Sequence, residues 1–532
     1  MIDRRSFLAS TLPLTILAFA SGATRTASGQ GAAPVAPAAT KDADRYFGAP
    51  EPFSFERLRD RAAALAGADY VPRHSPASDI VRKIDFDAVQ KIRYRDDHSL
   101  WQNGPAAYPV RFFHLHTFQP TPVRINVVEG GSAREFLYST DHFDYGDTGL
   151  REILPPGMGY AGFRAMSDPE GRSDWLAFQG ASYFRTSGAE DQYGASARGI
   201  AINTGLDSPE EFPDFVEFWL EPAPAGDRAI IVHALLDGPS ITGAYRFRCD
   251  RTNGVTMEVH SELFVRADIR RLGIAPLTSM YWFGENDRRQ ADDWRPEIHD
   301  SDGLSIWTGQ GERIFRPLIN PPVVQVNSFV DKTPRGFGLV QRDRDFDHYQ
   351  DDGAFYERRP SIWIEPLGDW GEGEVQLVEI PTDGEIYDNI VAYWRPRAPA
   401  RKGDSMVFDY RLHWRNRQPY PPDNVAQVVA TRTGRAGRPG EIPNRPKSHR
   451  KFVIDFEGGP ISDMAARFDV KPVASASRGT ISDGYVVKVV GTRRWRAVFD
   501  IDAEGREPVD LRCFLQLGDR TLSETWLYQY FP

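Results

Sequence analysis

The sequence predicts an all-β protein built as two antiparallel β-sandwiches in series, the first large and the second small. Three observations predict it. From about residue 198 onward, segment after segment alternates apolar and polar residues, the period-two pattern of half-buried strands. Gly, Pro, Asp and Asn interrupt these segments every 10–15 residues or so, roughly as an antiparallel sandwich requires. No long amphipathic helix intervenes, so nothing is available to cover the faces of a parallel sheet. At 532 residues the chain also exceeds one ordinary core, which makes two domains the starting expectation.

Taken in order, the chain opens on "MIDRRSFLAS", with Arg4-Arg5 ahead of the apolar run "TLPLTILAFA" and the small-residue site Ala18-Phe19-Ala20. This is the layout of an export signal. The apolar run is too short to span a bilayer, and the twin arginine followed by Ser-Phe-Leu favours the Tat route. Residues 1–40 are therefore assigned to a signal peptide and an Ala/Pro/Gly-rich flexible segment. In "SFERLRDRAAALAGADY" (54–70), Phe55, Leu58, Ala62 and Leu65 recur at helical spacing and Ser54 can cap the helix. "DFDAVQKI" (85–92) reads as a second short helix.

Strands follow at "RGIAINT" (198–204), "DFVEFWLEP" (214–222), "RAIIVHALLDG" (228–238), "GAYRFRCD" (243–250) and "VTMEVHSELFVR" (255–266). The prolines of "NRQPYPPDNVAQ" (416–427) cannot sit inside a central strand. They divide a large domain, 42–418, from a small one, 425–532. The small domain begins with the Gly/Arg/Pro-rich loop "TRTGRAGRPGEIPNRPKS" (431–448) and continues in short strands on the scale of an immunoglobulin-like sandwich.

The formal net charge of −10 argues against a nucleic-acid partner. The 12 Trp and 20 Tyr suit sugar rings, but they suit β-cores equally. Cys249 and Cys513 are far apart and read as buried free thiols, since a chain this long buries a core without disulfides.

Four stretches carry candidate chemistry. "RPEIHDSDGLSIW" (295–307) gathers Glu297, His299, Asp300 and Asp302. His114 and His116 would share one face of a strand and could bind zinc, but no third ligand has a supporting spacing. Asp343, Asp345 and Asp347 have calcium-loop spacing, yet His348 and Ala354 stand where Gly and an acid belong. The aromatic and basic residues that follow, including Tyr356 and Arg359, could line a carbohydrate cleft or a solvated loop. Asp383, Glu385 and Asp388 precede the apolar strand "NIVAYW" beside Tyr387, Tyr393 and Trp394. They are either acids with perturbed titration or turn acids facing water. Glycoside hydrolysis usually needs two carboxyl groups, about 6.5–9.5 Å apart or more when a water lies between base and sugar. The 300 and 388 regions could supply them.

Longer strings carry a family resemblance: "YRDDHSLW" (94–101), "FQGASYFR" (178–185), "QYGASARGIAINT" (192–204), "SMYWFGEN" (279–286), "RPEIHDSDGL" (295–304), "RDRDFDHYQD" (342–351), "YERRPSIWIEP" (356–366) and "DNIVAYW" (388–394). On these the chain resembles the periplasmic glucan biosynthesis proteins of the G/D type, from the osmoregulated periplasmic glucan system, and the twin arginine favours the D branch. The resemblance implies a galactose-mutarotase-like sandwich followed by an immunoglobulin-like domain. It implies a periplasmic enzyme acting on β-1,2-glucan, as an inverting endo-β-1,2-glucanase or a related transglycosylase. By motif match Asp388 takes the general-acid role and Asp300 the general-base role. His299 and Asp302 would orient the base or conduct protons, and Tyr356, Arg359, Glu385 and Trp394 would bind substrate in the cleft. Such chemistry requires neither metal nor cofactor. The membrane glucan synthase system is a candidate partner. A non-catalytic glucan-binding scaffold that assists export and backbone synthesis remains the alternative, and a sugar epimerase follows only from the expected fold of the large domain.

Overall fold

A computed structural model describes residues 43–532 apart from 103, 105, 169–172, 225, 420–423, 438–439 and 441–448. The export signal and the proline cluster at 421–422 lie outside the described residues. Within them the chain is all-β. Asp214–Pro222, Ile230–Asp237, Ile241–Asp250 and Val255–Val265 form an antiparallel meander. Alternation explains why they pair this way. In the last of these strands Val255, Met257, Val259, Ser261, Leu263 and Val265 are buried while the alternate residues keep solvent access.

The meander extends through Ser405–Arg415, Ser361–Leu367, Gly336–Val340, Gly303–Trp307 and Arg313–Pro317 into a 16-stranded sheet. A second, 10-stranded sheet packs on it, with Leu272–Ser279 and Ile390–Pro396 as neighbours inside it. Phe178 of the second sheet meets Phe218 and Phe247 of the first edge-on, at 5.6 and 5.2 Å between ring centroids. Buried residues of both sheets form one continuous core, so the large unit is a sandwich.

Most strand expectations coincide with observed strands. The stretch 198–204 instead splits into Ser196–Arg198 and Ile200–Ile202. Gly199 sits between them, and a Cβ there would come within 2.8 Å of the Phe215 ring. The first expected helix is Phe55–Ala66, with Ser54 accepting from the Arg57 amide. Its Leu58 and Ala62 pack with Trp219, Leu235 and Ala244 in a separate cluster on the first sheet's other face. The second is Phe86–Lys91, capped by Asp85. His114 and His116 depart from expectation. The strand ends at Phe113, and both rings lie in the turn beyond it. His114 bonds to the Leu115 carbonyl and the Tyr138 hydroxyl.

From residue 425 the chain adds Gln427–Arg435, His449–Glu457, Trp495–Asp502 and Thr480–Lys488 as a four-stranded sheet. Residues 431–435, expected in a loop, belong to the first of these strands. They meet His449–Glu457 in a full ladder, which overrides the weak strand propensity of their Gly and Arg. The facing strands Val470–Ala476, Val509–Leu517 and Thr525–Tyr530 do not form a sheet of their own. Thr525–Tyr530 runs parallel to Arg313–Pro317, through Ile314↔Thr525 and Phe315↔Trp526, so they continue the large sheet. Phe315, Ile319 and Val340 accordingly sit in the same buried cluster as Phe452, Phe499 and Trp526. Cys249 and Cys513 are buried free thiols, one in each core.

A chain ending at residue 424 should therefore expose apolar surface and an unpaired strand edge. Aggregation and strong binding of a hydrophobic dye are expected. A soluble monomer with native near-UV dichroism and no dye binding would show that the seam is dispensable.

Candidate functional site

The segment 279–283 brings two distant parts of the chain together. At its start, Thr278 and Ser279 pair with Val391 and Ile390. Just beyond, Tyr281–Phe283 pairs with Ile298–His299. Residue 388 therefore enters the site two residues before a buried strand, and residue 300 one residue after a short ladder. Hydrogen bonds lock this register. The Asp300 amide donates to the Met280 carbonyl at 2.8 Å. The buried Asn389 side chain accepts from the Tyr281 amide at 2.8 Å and donates to the Tyr281 and Ile380 carbonyls, each at 2.9 Å. A carboxamide saturated by backbone in this way has little freedom to move, and it adjoins Asp388.

Asp300 is buried, and the equally buried guanidinium of Arg359 pairs with its Oδ1. Arg359 also lies over the Tyr356 ring, 4.1 Å from its centroid. The Tyr356 hydroxyl donates to Glu385. Glu385 in turn receives two bonds from Arg295, at 2.9 and 3.1 Å, and Arg295 also holds Asp351 and Asp293. A continuous chain of charge pairs and one ring thus runs from Asp300 out to Arg295. Gly194 leaves room for it, since a Cβ there would approach Arg359 Cβ to 2.9 Å.

Asp388 is half-buried, and its carboxyl is pushed up to about 7. Burial is the largest cause, and the negative charge of Asp300 adds to it. Arg198, Arg185 and Arg359 oppose the shift. Burial away from water disfavours the charged form, and a nearby like charge does the same. Arg198 is itself buried and fixed by Thr278 Oγ1 and Glu210, both at 2.8 Å. One carboxyl of the site thus keeps its proton near neutrality beside a second that is ion-paired, the division of labour that acid–base chemistry uses.

Tyr356, Arg359 and Glu385 therefore connect to Asp300, and Asp300 acts electrostatically on Asp388. Three expected site residues fall elsewhere. Trp394 is wholly buried in the main core, beside Trp370, and cannot line a cleft. Strand alternation turns Ile390, Ala392 and Trp394 inward together. His299 is 1% exposed, stacks on Tyr281, and bonds to Glu297 and Gln341. Asp302 accepts from the Arg342 and Asp343 amides at 2.7 and 2.8 Å. Both bond to the structure behind Asp300, His299 through Gln341 and Asp302 through the 342–343 amides.

The calcium-like spacing of 343–347 has a local explanation. Asp345 caps the helix Phe346–Tyr349, and Asp343 pairs with His348 at 2.5 Å. A different set could hold a cation: Glu297, Asp343 and His348 bring ligand atoms within 4.8 Å of one another. Sequence spacing hid this set because Glu297 lies far from the other two. The sequence reading also misses Arg185, Arg198, Arg295 and Asn389, although all four lie inside the quoted strings.

Arg359→Ala leaves Asp300 buried without its partner, and loss of one member of a buried pair costs about 3–5 kcal/mol. Urea unfolding should show a loss of that order, with partial recovery in Arg359→Lys. A loss below about 1 kcal/mol, typical of an exposed pair, would mean that Arg359 does not hold Asp300.

Comparison with known proteins places this geometry in context. The family model described as periplasmic glucan biosynthesis protein, MdoG, matches residues 53–530. Glucans biosynthesis protein D 2 of Ralstonia nicotianae is 49% identical, over 100% of this chain and 98% of that protein. Glucans biosynthesis protein D of Stenotrophomonas maltophilia is 48% identical over 92% of this chain and 91% of its own. That of Xanthomonas oryzae pv. oryzae is 47% identical over 92% of each. With a family match across nearly all of the described chain and relatives near half identity over more than nine-tenths of their length, this chain belongs to the periplasmic glucan biosynthesis protein family.

Proposed function

We propose that the chain is a periplasmic enzyme that cleaves or transfers β-1,2-glucan, with Asp388 as general acid and Asp300 as general base. The observation that carries this reading is the upward shift of Asp388 to about 7 beside a carboxylate fixed by Arg359. The linkage and the substrate rest on the motif resemblance together with the family.

In the step proposed, the proton of Asp388 passes to the glycosidic oxygen as the C1–O bond breaks. A water, or a sugar hydroxyl in transfer, attacks C1 from the opposite face. Its proton goes to Asp300, directly or through an intervening hydroxyl or water, which gives inversion at C1. Arg359 occupies Oδ1 of Asp300, which leaves Oδ2 to accept. A preorganised pair gains catalytic strength because fewer dipoles must reorganise during reaction. The membrane glucan synthase system is the proposed source of the substrate.

Asp388→Asn keeps the size of the side chain and removes the transferable proton. Turnover of linear β-1,2-glucan should fall at least about 10²-fold while glucan binding survives. In the wild type, kcat/KM should decline as pH rises through about 7. The same shift predicts a stability effect. Between the ordinary Asp value and about 7 the native state binds a proton that the unfolded chain does not, so this group destabilises the fold as pH rises across that window. Asp388→Asn should then unfold later than wild type at pH 8. A folded variant with near wild-type turnover would exclude Asp388 as the acid. Binding without any turnover in the wild type would favour the scaffold reading.

Export is proposed to follow the Tat route on Arg4 and Arg5. Replacing both with lysine should leave the protein in the cytoplasm, whereas unchanged periplasmic recovery would point to the general secretory route.

A further inference from the structure

The ion-pair chain that starts at Asp300 ends at the surface, beside an exposed indole. Trp294 is 73% exposed, the one tryptophan among the exposed large apolar side chains of the described residues. Leaving a side chain of this area in water forgoes the stabilisation that its burial would bring. Its position is not that of a loose loop tip. The next residue, Arg295, is mostly buried and gripped by three carboxylates, from Asp293, Asp351 and Glu385. The Arg295 amide also donates to Asp293 at 2.9 Å. Arg295 is thereby pinned directly after Trp294, and the ring is presented from a fixed neighbour. Across the Arg295–Glu385 pair, the neighbour of Glu385 is Ile386, itself 50% exposed. Two exposed apolar side chains thus border a charge pair that leads inward through Tyr356 and Arg359 to Asp300.

A glucose ring fits such a surface. Its C–H face is apolar and flat enough to lie on an indole, while its rim hydroxyls need charged or polar partners, which Asp293, Arg295 and Glu385 supply. We infer that Trp294 is a stacking platform for a glucose unit of the glucan chain, at a position removed from the bond that reacts. This inference rests on the glucan reading above and deepens it. A long substrate would run from the reacting pair outward over Arg295 and onto Trp294, so chain length would be sensed there.

The test measures calorimetric binding of linear β-1,2-glucan, long and short, to the full-length protein and to Trp294→Ala and Trp294→Tyr. Trp294→Ala should weaken binding of long glucan about tenfold, a change equivalent to about 1.4 kcal/mol. Binding of oligosaccharides too short to reach the rim should not change, and Trp294→Tyr should recover most of the loss. Unchanged binding of long glucan by a folded Trp294→Ala, with wild type binding and cleaving normally, overturns the platform and leaves the proposed function standing. Equal weakening for long and short glucans also overturns it. So does a wild-type dimer that Trp294→Ala dissociates with no effect on glucan, because the ring would then serve contact between copies. A wild-type protein that binds no glucan of any length overturns the platform and the proposed function together.

Discussion

The buried ion pair of Asp300 with Arg359 is the contact on which much of the site depends. In water a carboxyl such as that of Asp388 would ionise well below neutrality. Here Asp388 is half-buried and feels the negative charge of Asp300, and both effects raise it. Arg198 and Arg185 limit the shift, so Asp388 titrates near neutrality instead of far above it. An acid poised near the working pH is a better proton donor than one that never releases its proton.

Such a balance tolerates little movement, because interactions between charges in a low-dielectric interior change steeply with distance. The sandwich supplies the rigidity. Asp388 precedes a strand buried on both faces, and Asp300 is tied by its amide to the segment that pairs with that strand. Asn389 closes the loop by hydrogen-bonding Tyr281 on both its amide and its carbonyl. His299 and Asp302 lie behind this arrangement and hold the 340–343 backbone against it.

The C-terminal unit participates indirectly. Thr525–Tyr530 extends the large sheet past Arg313–Pro317, and Glu524 takes Arg342, whose own amide is held by Asp302. Glu285 pairs with Arg432 and accepts from the Thr431 amide across the same seam. Burial pushes Glu285 up to about 7 as well. The small unit thus braces the rear of the site without contributing Asp300 or Asp388.

The sequence by itself determined the all-β class, the meander at 214–265 and the two helices expected within 54–70 and 85–92. These are local properties: alternation, capping and turn residues act over a few positions and need no partner to be read. The resemblance of its motifs to a known family also implied site roles for Asp300, Asp388, Tyr356, Arg359 and Glu385, which the residue types alone left open. The tertiary structure decided what those residues touch. Only pairing across the sheet shows that Trp394 turns into the core, that Arg198 and Arg185 reach Asp388, and that Glu297 meets Asp343 and His348. Only the parallel pairing of Ile314 with Thr525 shows that the two units share a sheet. Charge state, burial and long-range pairing are properties of neighbours in space, and neighbours separated by tens or hundreds of residues leave no period in the chain that joins them.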